Sequence, residues 1–363
     1  MRFLVLLLCF LAGNVLSSFV VAERTFALVK PGYQLVFPRD FGAHPDFRIE
    51  WWYATGWLQT AEGQKLGFQV TFFRIATNTD KNNPSRFAPG QLIIAHAALS
   101  DPTMDGLLHD QKIRREGFDL VYARNGNTDV KLDDWFFRRE TDGRYQTFVS
   151  AQDFTLELAL LPTQPLLLQG EQGFSRKGPK PEQASYYYSE PHLQVTGTIT
   201  RSGKPLAVTG TAWLDHEWSS ELLDTHAVGW DWVGANLNDG GAFMAFQIRD
   251  KNGEKIWAHA VWRSVNDKIT TFVPEDVHFQ PLRRWRSPHT QAEYPVTMMI
   301  KTGETVWQIT PLMDDQELDS RASIGAVYWE GAATLERNGE MVGRGYLELT
   351  GYVQALAIGG NDD

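Results

Sequence analysis

The chain has 363 residues, with 34 Lys and Arg against 44 Asp and Glu, a net charge of −10 and a single cysteine, Cys9. That acidic balance argues against nucleic acid or an anionic lipid surface as partner. One cysteine, placed in the leader, leaves the rest of the chain without disulfides, thiol catalysis or cysteine-based metal sites.

Residues 1–22 read as a secretory signal. Arg2 supplies the positive start, residues 3–12 (FLVLLLCFLA) the apolar core, and Val20-Val21-Ala22 a cleavage site before Glu23. The run is too short and broken to span a membrane, and Cys9 lacks the small residues of a lipoprotein cleavage site before it. A freely released, secreted or periplasmic mature chain is expected.

Residues 50–58, Glu-Trp-Trp-Tyr-Ala-Thr-Gly-Trp-Leu, come next. On a strand, Trp51 and Tyr53 share one face and Glu50 and Trp52 the other. A carboxylate beside an indole is costly to bury unless paired or functional. An aromatic core strand with Glu50 at its wet end fits the residues; so does a site. His44 and Asp46 just upstream could converge on Glu50, or Pro45 could simply mark a turn.

Strand-like runs then recur at 66–75, 91–99, 145–150, 154–161, 193–200, 205–214, 243–249, 256–263 and 344–353. Turn residues such as Glu62-Gly63, Ser202-Gly203, Asn252-Gly253 and Asn338-Gly339 separate them. Residues 108–116 and 218–225 are the best short helix candidates. Residues 162–191 hold five prolines and several glycines and predict a long ordered loop, which Tyr186, Tyr187 and Tyr188 would pack against something. The pattern is all-β, suited to barrels or sandwiches.

The segment 213–218, Trp-Leu-Asp-His-Glu-Trp, holds two carboxylates and an imidazole between two indoles. Trp213, Asp215 and Glu217 would share one face of a strand, and Leu214, His216 and Trp218 the other. Such a cluster could protonate a double bond and deprotonate water, with indole faces steadying a developing cation. It could equally be a wet strand end. Asp231 sits between Trp230 and Trp232, where an exposed edge position or a ligand contact would each explain it. There is no Gly-x-Ser-x-Gly elbow, no zinc-protease helix, no phosphate-cradling Gly loop and no calcium loop. The residues give no support for a cofactor or a metal.

The chain also repeats itself. Residues 195–218 and 329–352 each run glycine, strand, Gly-containing turn, strand and aromatic, and 52–58 is echoed in 230–237. Two copies in the same order imply one β-domain duplicated in tandem, with the boundary near 220–228. The expected division is a leader over 1–22, a first domain over 23–222 and a second over 223–363.

The segments LVFPRDFGAHPDFRIEWWYATGWL, SYYYSEPHLQVTGTI and TGTAWLDHEWSS followed by GWDWVGANL resemble the AttH-like, carotenoid 1,2-hydratase (hydroxyneurosporene synthase) family across nearly the whole mature chain. The resemblance implies two consecutive lipocalin-like antiparallel β-barrel domains. It also implies an extended apolar ligand, a lipid or isoprenoid-like molecule, held between or within the barrels. Hydratases of this family add water across a double bond of such a molecule. Their His-x-Trp corresponds to His216 and Trp218. Their later acidic residue falls near Phe246-Gln247-Ile248, where this chain has no carboxylate. Some members are labelled secreted hydrolases, a label these residues do not support. The expected catalytic residues are Asp215, His216, Glu217 and Glu50. The expected ligand contacts are Trp51, Trp52, Tyr53, Trp213, Trp218, Trp230, Asp231, Trp232 and Tyr187. The main alternative is a non-catalytic carrier in the cell envelope serving an ABC-type membrane transporter; a weaker one is a secreted hydrolase of lipid esters, for which the residues show no nucleophile. A monomer is expected, since two domains can cover each other's open edges.

Overall fold

The computed structural model describes residues 24–79, 83, 85, 87–221 and 223–356. The expected leader and Cys9 lie outside the described residues. Two antiparallel sheets dominate the described residues.

The first sheet is built from β1 (Ile49–Thr60), β2 (Lys65–Ala76), β3 (Gln91–Ser100), β4 (Leu108–Arg115), β5 (Val121–Ala123), β6 (Asp129–Leu132), β7 (Trp135–Arg139), β8 (Tyr145–Ser150), β9 (Phe154–Pro162), β10 (Leu167–Leu168), β11 (Phe174–Arg176), β12 (Ala184–Arg201) and β13 (Lys204–Ser219). The second comprises β14 (Ala227–Leu237), β15 (Ala242–Asp250), β16 (Lys255–Arg263), β17 (Ile269–Phe272), β18 (Val277–Arg286), β19 (Glu293–Thr302), β20 (Thr305–Pro311), β21 (Glu317–Ser320), β22 (Ala326–Arg337) and β23 (Glu340–Leu349).

Both sheets follow one plan. In the first, β1 pairs with β2 on one side and with the last strand, β13, on the other; in the second, β14 stands between β15 and the last strand, β23. Each is a meander curled back on itself and open at one seam, between β4 and β5 and between β17 and β18. The result is two lipocalin-like barrels. The hairpins β12–β13 and β22–β23 turn at Ser202-Gly203 and Asn338-Gly339, with φ of 48° and 73° and of 51° and 86°. Both residues of such a two-residue turn need positive φ.

The alternation is clean on β1. Trp52, Ala54 and Leu58 point into the first barrel with Phe68, Phe72, Leu193 and Leu214. Tyr53 and Trp57 point out, against Met244, Phe246, Ala332 and Tyr346 of the second. Both faces of the strand are therefore buried, which is why it reads as a near-continuous aromatic run. Gly67 on β2 marks the close approach: a Cβ there would stand 2.5 Å from the Cβ of Ala332 and 3.1 Å from the Tyr346 hydroxyl.

Two expectations fail. Residues 108–116 are not a helix but carry β4, because pairing with β3 overrides helix-forming side chains. Of 218–225, Trp218 and Ser219 close β13, and the described residues after them form bends and a turn rather than a helix. Among the described residues the helical elements are two single turns, Arg39–Phe41 and Pro274–Asp276. The stretch 162–191 is only partly loop: β10 and β11 lie along β12, and the three tyrosines belong to β12 itself.

Candidate functional site

The pleat of β1 and β13 splits the candidate residues between two places. The register sets Glu50 opposite Trp218, Trp51 opposite Glu217, Trp52 opposite His216 and Tyr53 opposite Asp215. Glu50, Trp52, His216 and Trp218 therefore face into the first barrel, and Trp51, Tyr53, Asp215 and Glu217 face the second.

The inward group is a closed polar knot. Oε1 of Glu50 takes hydrogen bonds from His44 Nδ1 at 2.7 Å and His216 Nε2 at 2.9 Å; Oε2 takes them from the His44 backbone N–H at 2.8 Å and Arg74 Nε at 2.7 Å. Burial opposes ionisation of Glu50, but His44 and Arg74 beside it hold its carboxyl well below the usual range. Burial likewise opposes charge on His44, and the carboxylates of Glu50 and Asp40 outweigh it and raise its pKa. Burial brings His216 down to about 4, so that ring is neutral, donating from Nε2 and accepting from the Tyr188 hydroxyl at Nδ1, 3.0 Å away. The rings stack: His44 on Trp218 at 3.7 Å between centroids, His216 on Trp52 at 4.6 Å. His44 Nδ1, Glu50 Oε1 and His216 Nε2 lie within 4.8 Å of one another and could hold a metal ion. However, Arg74 already balances the carboxylate and both imidazoles reach it directly, so the donor set fits a hydrogen-bonded knot better than a cation.

The second barrel has a counterpart. Asp231 is not an exposed edge residue: it is 1% exposed and is held by Gln247 at 2.7 Å, Arg249 at 3.1 Å and the Tyr352 hydroxyl at 2.9 Å. Its strand position turns it into that barrel, away from any ligand between the two. Gln247, where the sequence lacks the expected acid, is thus spent on Asp231.

The outward group lines a cavity of about 290 Å³ between the barrels. Trp51, Tyr53, Phe73, Ile94, Tyr187, Trp230, Trp232, Phe246 and Ile248 give it apolar walls, and Asp215, Glu217, Glu330, Glu348 and Lys177 give it charge. Asp215 accepts hydrogen bonds from the Tyr187 hydroxyl at 2.8 Å, Ser189 Oγ at 2.5 Å and Trp213 Nε1 at 2.7 Å. Burial nevertheless raises its carboxyl to about 7, against those three donors. Lys177 Nζ stands 2.9 Å from Glu217 Oε1, and burial lowers its pKa. The Tyr187 hydroxyl also accepts from Trp232 Nε1 at 3.1 Å. Gly234 lets the Trp232 ring lie flat: a Cβ there would meet it at 2.5 Å.

Glu50 and His216 thus share no site with Asp215, and Trp52 and Trp218 are not cavity walls. Trp213 stands behind Asp215, at 6.4 Å from Trp232. Sequence reasoning missed Lys177, Glu330 and Glu348. The available signal was an acid inside an apolar strand: Glu330 follows Tyr328 and Trp329, and Glu348 lies between Leu347 and Leu349. A perturbed acid opening into an apolar cavity is what proton-transfer sites require.

Compared with known proteins, the chain matches the AttH-like family model over residues 28–352. The crystal structure of an AttH-type protein from Nitrosomonas europaea is 66% identical, with a TM-score of 0.86, over 90% of this chain and 100% of that one. Kievitone hydratase from Nectria haematococca is 14% identical, with a TM-score of 0.67, over 92% of this chain and 98% of that one. CghA, solved with Sch210972, is 13% identical, with a TM-score of 0.52, over 91% and 97%. The last two share the fold. No curated protein matches the chain.

Proposed function

The chain belongs to the AttH-like family, and from that premise we propose that its secreted form binds an extended apolar, isoprenoid-like molecule between the barrels and transfers a proton to it, as a hydratase or isomerase. The observation that carries this reading is Asp215: an acid titrating near neutral pH, opening into an aromatic cavity. Protonated Asp215 delivers its proton to one carbon of a double bond, and the π pair forms the new C–H bond. Water adds to the other carbon, and its proton passes to Glu217, whose charge Lys177 balances at 2.9 Å. In an isomerisation the second proton leaves carbon instead of water. Glu50 and His216 hold the barrel end in shape and take no part in the transfer. That a neighbour of the same fold is named a hydratase agrees with this reading.

The test is incubation of wild-type and Asp215→Asn protein with an organic extract of the native envelope, followed by mass spectrometry. Wild type is expected to convert one apolar species into a product heavier by one water, or into an isomer of altered retention, and the variant to leave it unchanged. Equal conversion by both overturns the assignment. A second reading, a carrier serving an ABC-type transporter, is favoured by one observation: Asp215 and Glu217 both have protein partners. It predicts binding with no conversion by either protein.

A further inference from the structure

The cavity wall supplied by the second barrel carries groups that this reaction leaves idle. Glu330 on β22 and Glu348 on β23 are direct cross-strand partners, and both line the cavity. Like charges so placed repel. Glu330 is 1% exposed, and its Oε1 has no hydrogen-bond partner among the described residues. Lys177, the one Lys or Arg among the described cavity-lining residues, is engaged by Glu217. Burial, and then the charge of Glu348, pushes the Glu330 carboxyl far above its usual range; burial pushes Glu348 the same way, with Asp215 and Glu217 adding to it. With no cation beside them, the two facing acids resist carrying two negative charges at once.

Four rings surround it. The Tyr53 hydroxyl faces Glu330, and the Trp230 indole faces Glu348. Trp232 is the cross-strand partner of Glu348 on β14, and Tyr328 shares a strand face with Glu330. A buried acid pair with no cation beside it, in a cavity lined by aromatic rings, attracts positive charge.

We propose that Glu330 and Glu348, with the rings of Tyr53, Trp230, Trp232 and Tyr328, form a subsite for a positive centre carried on an apolar chain. This rests on the reading that the cavity takes an extended apolar molecule. The centre has two sources: an amine or ammonium head on the ligand, or the cationic carbon left when a double bond takes a proton. In either case the arriving cation lets both carboxyls ionise, and the proton given up passes to solvent.

The test is calorimetric titration of the mature chain at neutral pH with decyltrimethylammonium and with 1-decanol, both kept below aggregation. The ammonium is expected to bind roughly tenfold more tightly. It should also release about one proton, read from the buffer dependence of the heat, whereas decanol releases none. Glu330→Gln and Glu348→Gln should each lose most of that preference yet bind decanol like wild type, which shows them folded. Equal affinity of wild type for both probes, or a preference that survives both substitutions, overturns the subsite and leaves the cavity reading standing. If neither probe binds wild type, the cavity reading fails and the subsite with it. With the preference established, the mass of the molecule extracted from native protein separates the sources: a fixed-charge species is a cationic head, and a neutral one places the charge on the reacting carbon.

Discussion

Glu50 and Asp215 are both buried carboxylates, and their surroundings send them opposite ways. Glu50 accepts four donors, two of them on cations or raised imidazoles, and stays ionised. Removing it strands Arg74, which is fully buried. Glu50→Ala is therefore expected to cost about 3–5 kcal/mol, the penalty of leaving a buried partner uncompensated, measured by urea unfolding; a loss below ~1 kcal/mol would sink the structural role given to this knot. Asp215 has neutral donors only, so burial prevails. Its folded pKa of about 7 lies above the unfolded value of 3.8. Between those two pH values the native state holds a proton that the unfolded state has released. Asp215 therefore makes the protein less stable as pH rises from about 4 to about 7, with no further change above. Asp215→Asn should flatten the profile of melting temperature against pH across that window and leave it parallel to wild type outside it; parallel profiles throughout would contradict the shift.

The strand carrying Trp213 to Trp218 works as a partition between two environments. Its alternation was legible in the sequence, as was that of Glu50 to Tyr53, so the division of these residues into two faces followed from the pleat alone. What lay behind each face was not legible, because that depends on which strands curl round to meet it. Lys177 arrives from the segment between β11 and β12 and carries no local signature; Glu330 and Glu348 come from strands more than a hundred residues on, where each interrupts an apolar run but nothing local says which cavity it faces. The hairpins were legible because Gly at positive φ and β-branched runs state the turn and the strand together. Residues 108–115 misled because Lys, Arg and Gln favour helix locally, while β3 beside them needed a partner. The two barrels come close together at Gly67. Gly67→Val would drive a side chain into Ala332 and Tyr346 and is expected to destabilise by about 1–3 kcal/mol. Chemical unfolding of that variant checks it, and an unchanged midpoint would mean that the contact between β2 and β22 is looser than described.

At the scale of the whole molecule, each barrel fills its own interior with side chains, and the room for a ligand lies between the two. The cores around Trp52 and Trp135 and around Trp307 and Trp329 are closed. Across the gap the barrels are tied by Trp57 Nε1 to the Gly345 carbonyl at 2.9 Å, by Asn236 to the Ala212 carbonyl at 2.9 Å and by His96 to the Tyr328 hydroxyl at 2.7 Å. Both partners thus contribute to one cavity, with aromatic walls and acids from each side. The two barrels share one economy: Glu50 pairs with Arg74 inside one and Asp231 with Arg249 inside the other, while a separate set of acids lines the cavity between them. The central claim is that this cavity is occupied in life by an apolar molecule. Native mass spectrometry of the protein purified from its own envelope tests it most directly. One apolar molecule per chain, chemically distinct from bulk membrane lipid and released on unfolding, is the predicted result. A chain that carries nothing under conditions that keep it folded, or only bulk lipid in no fixed ratio, would contradict it.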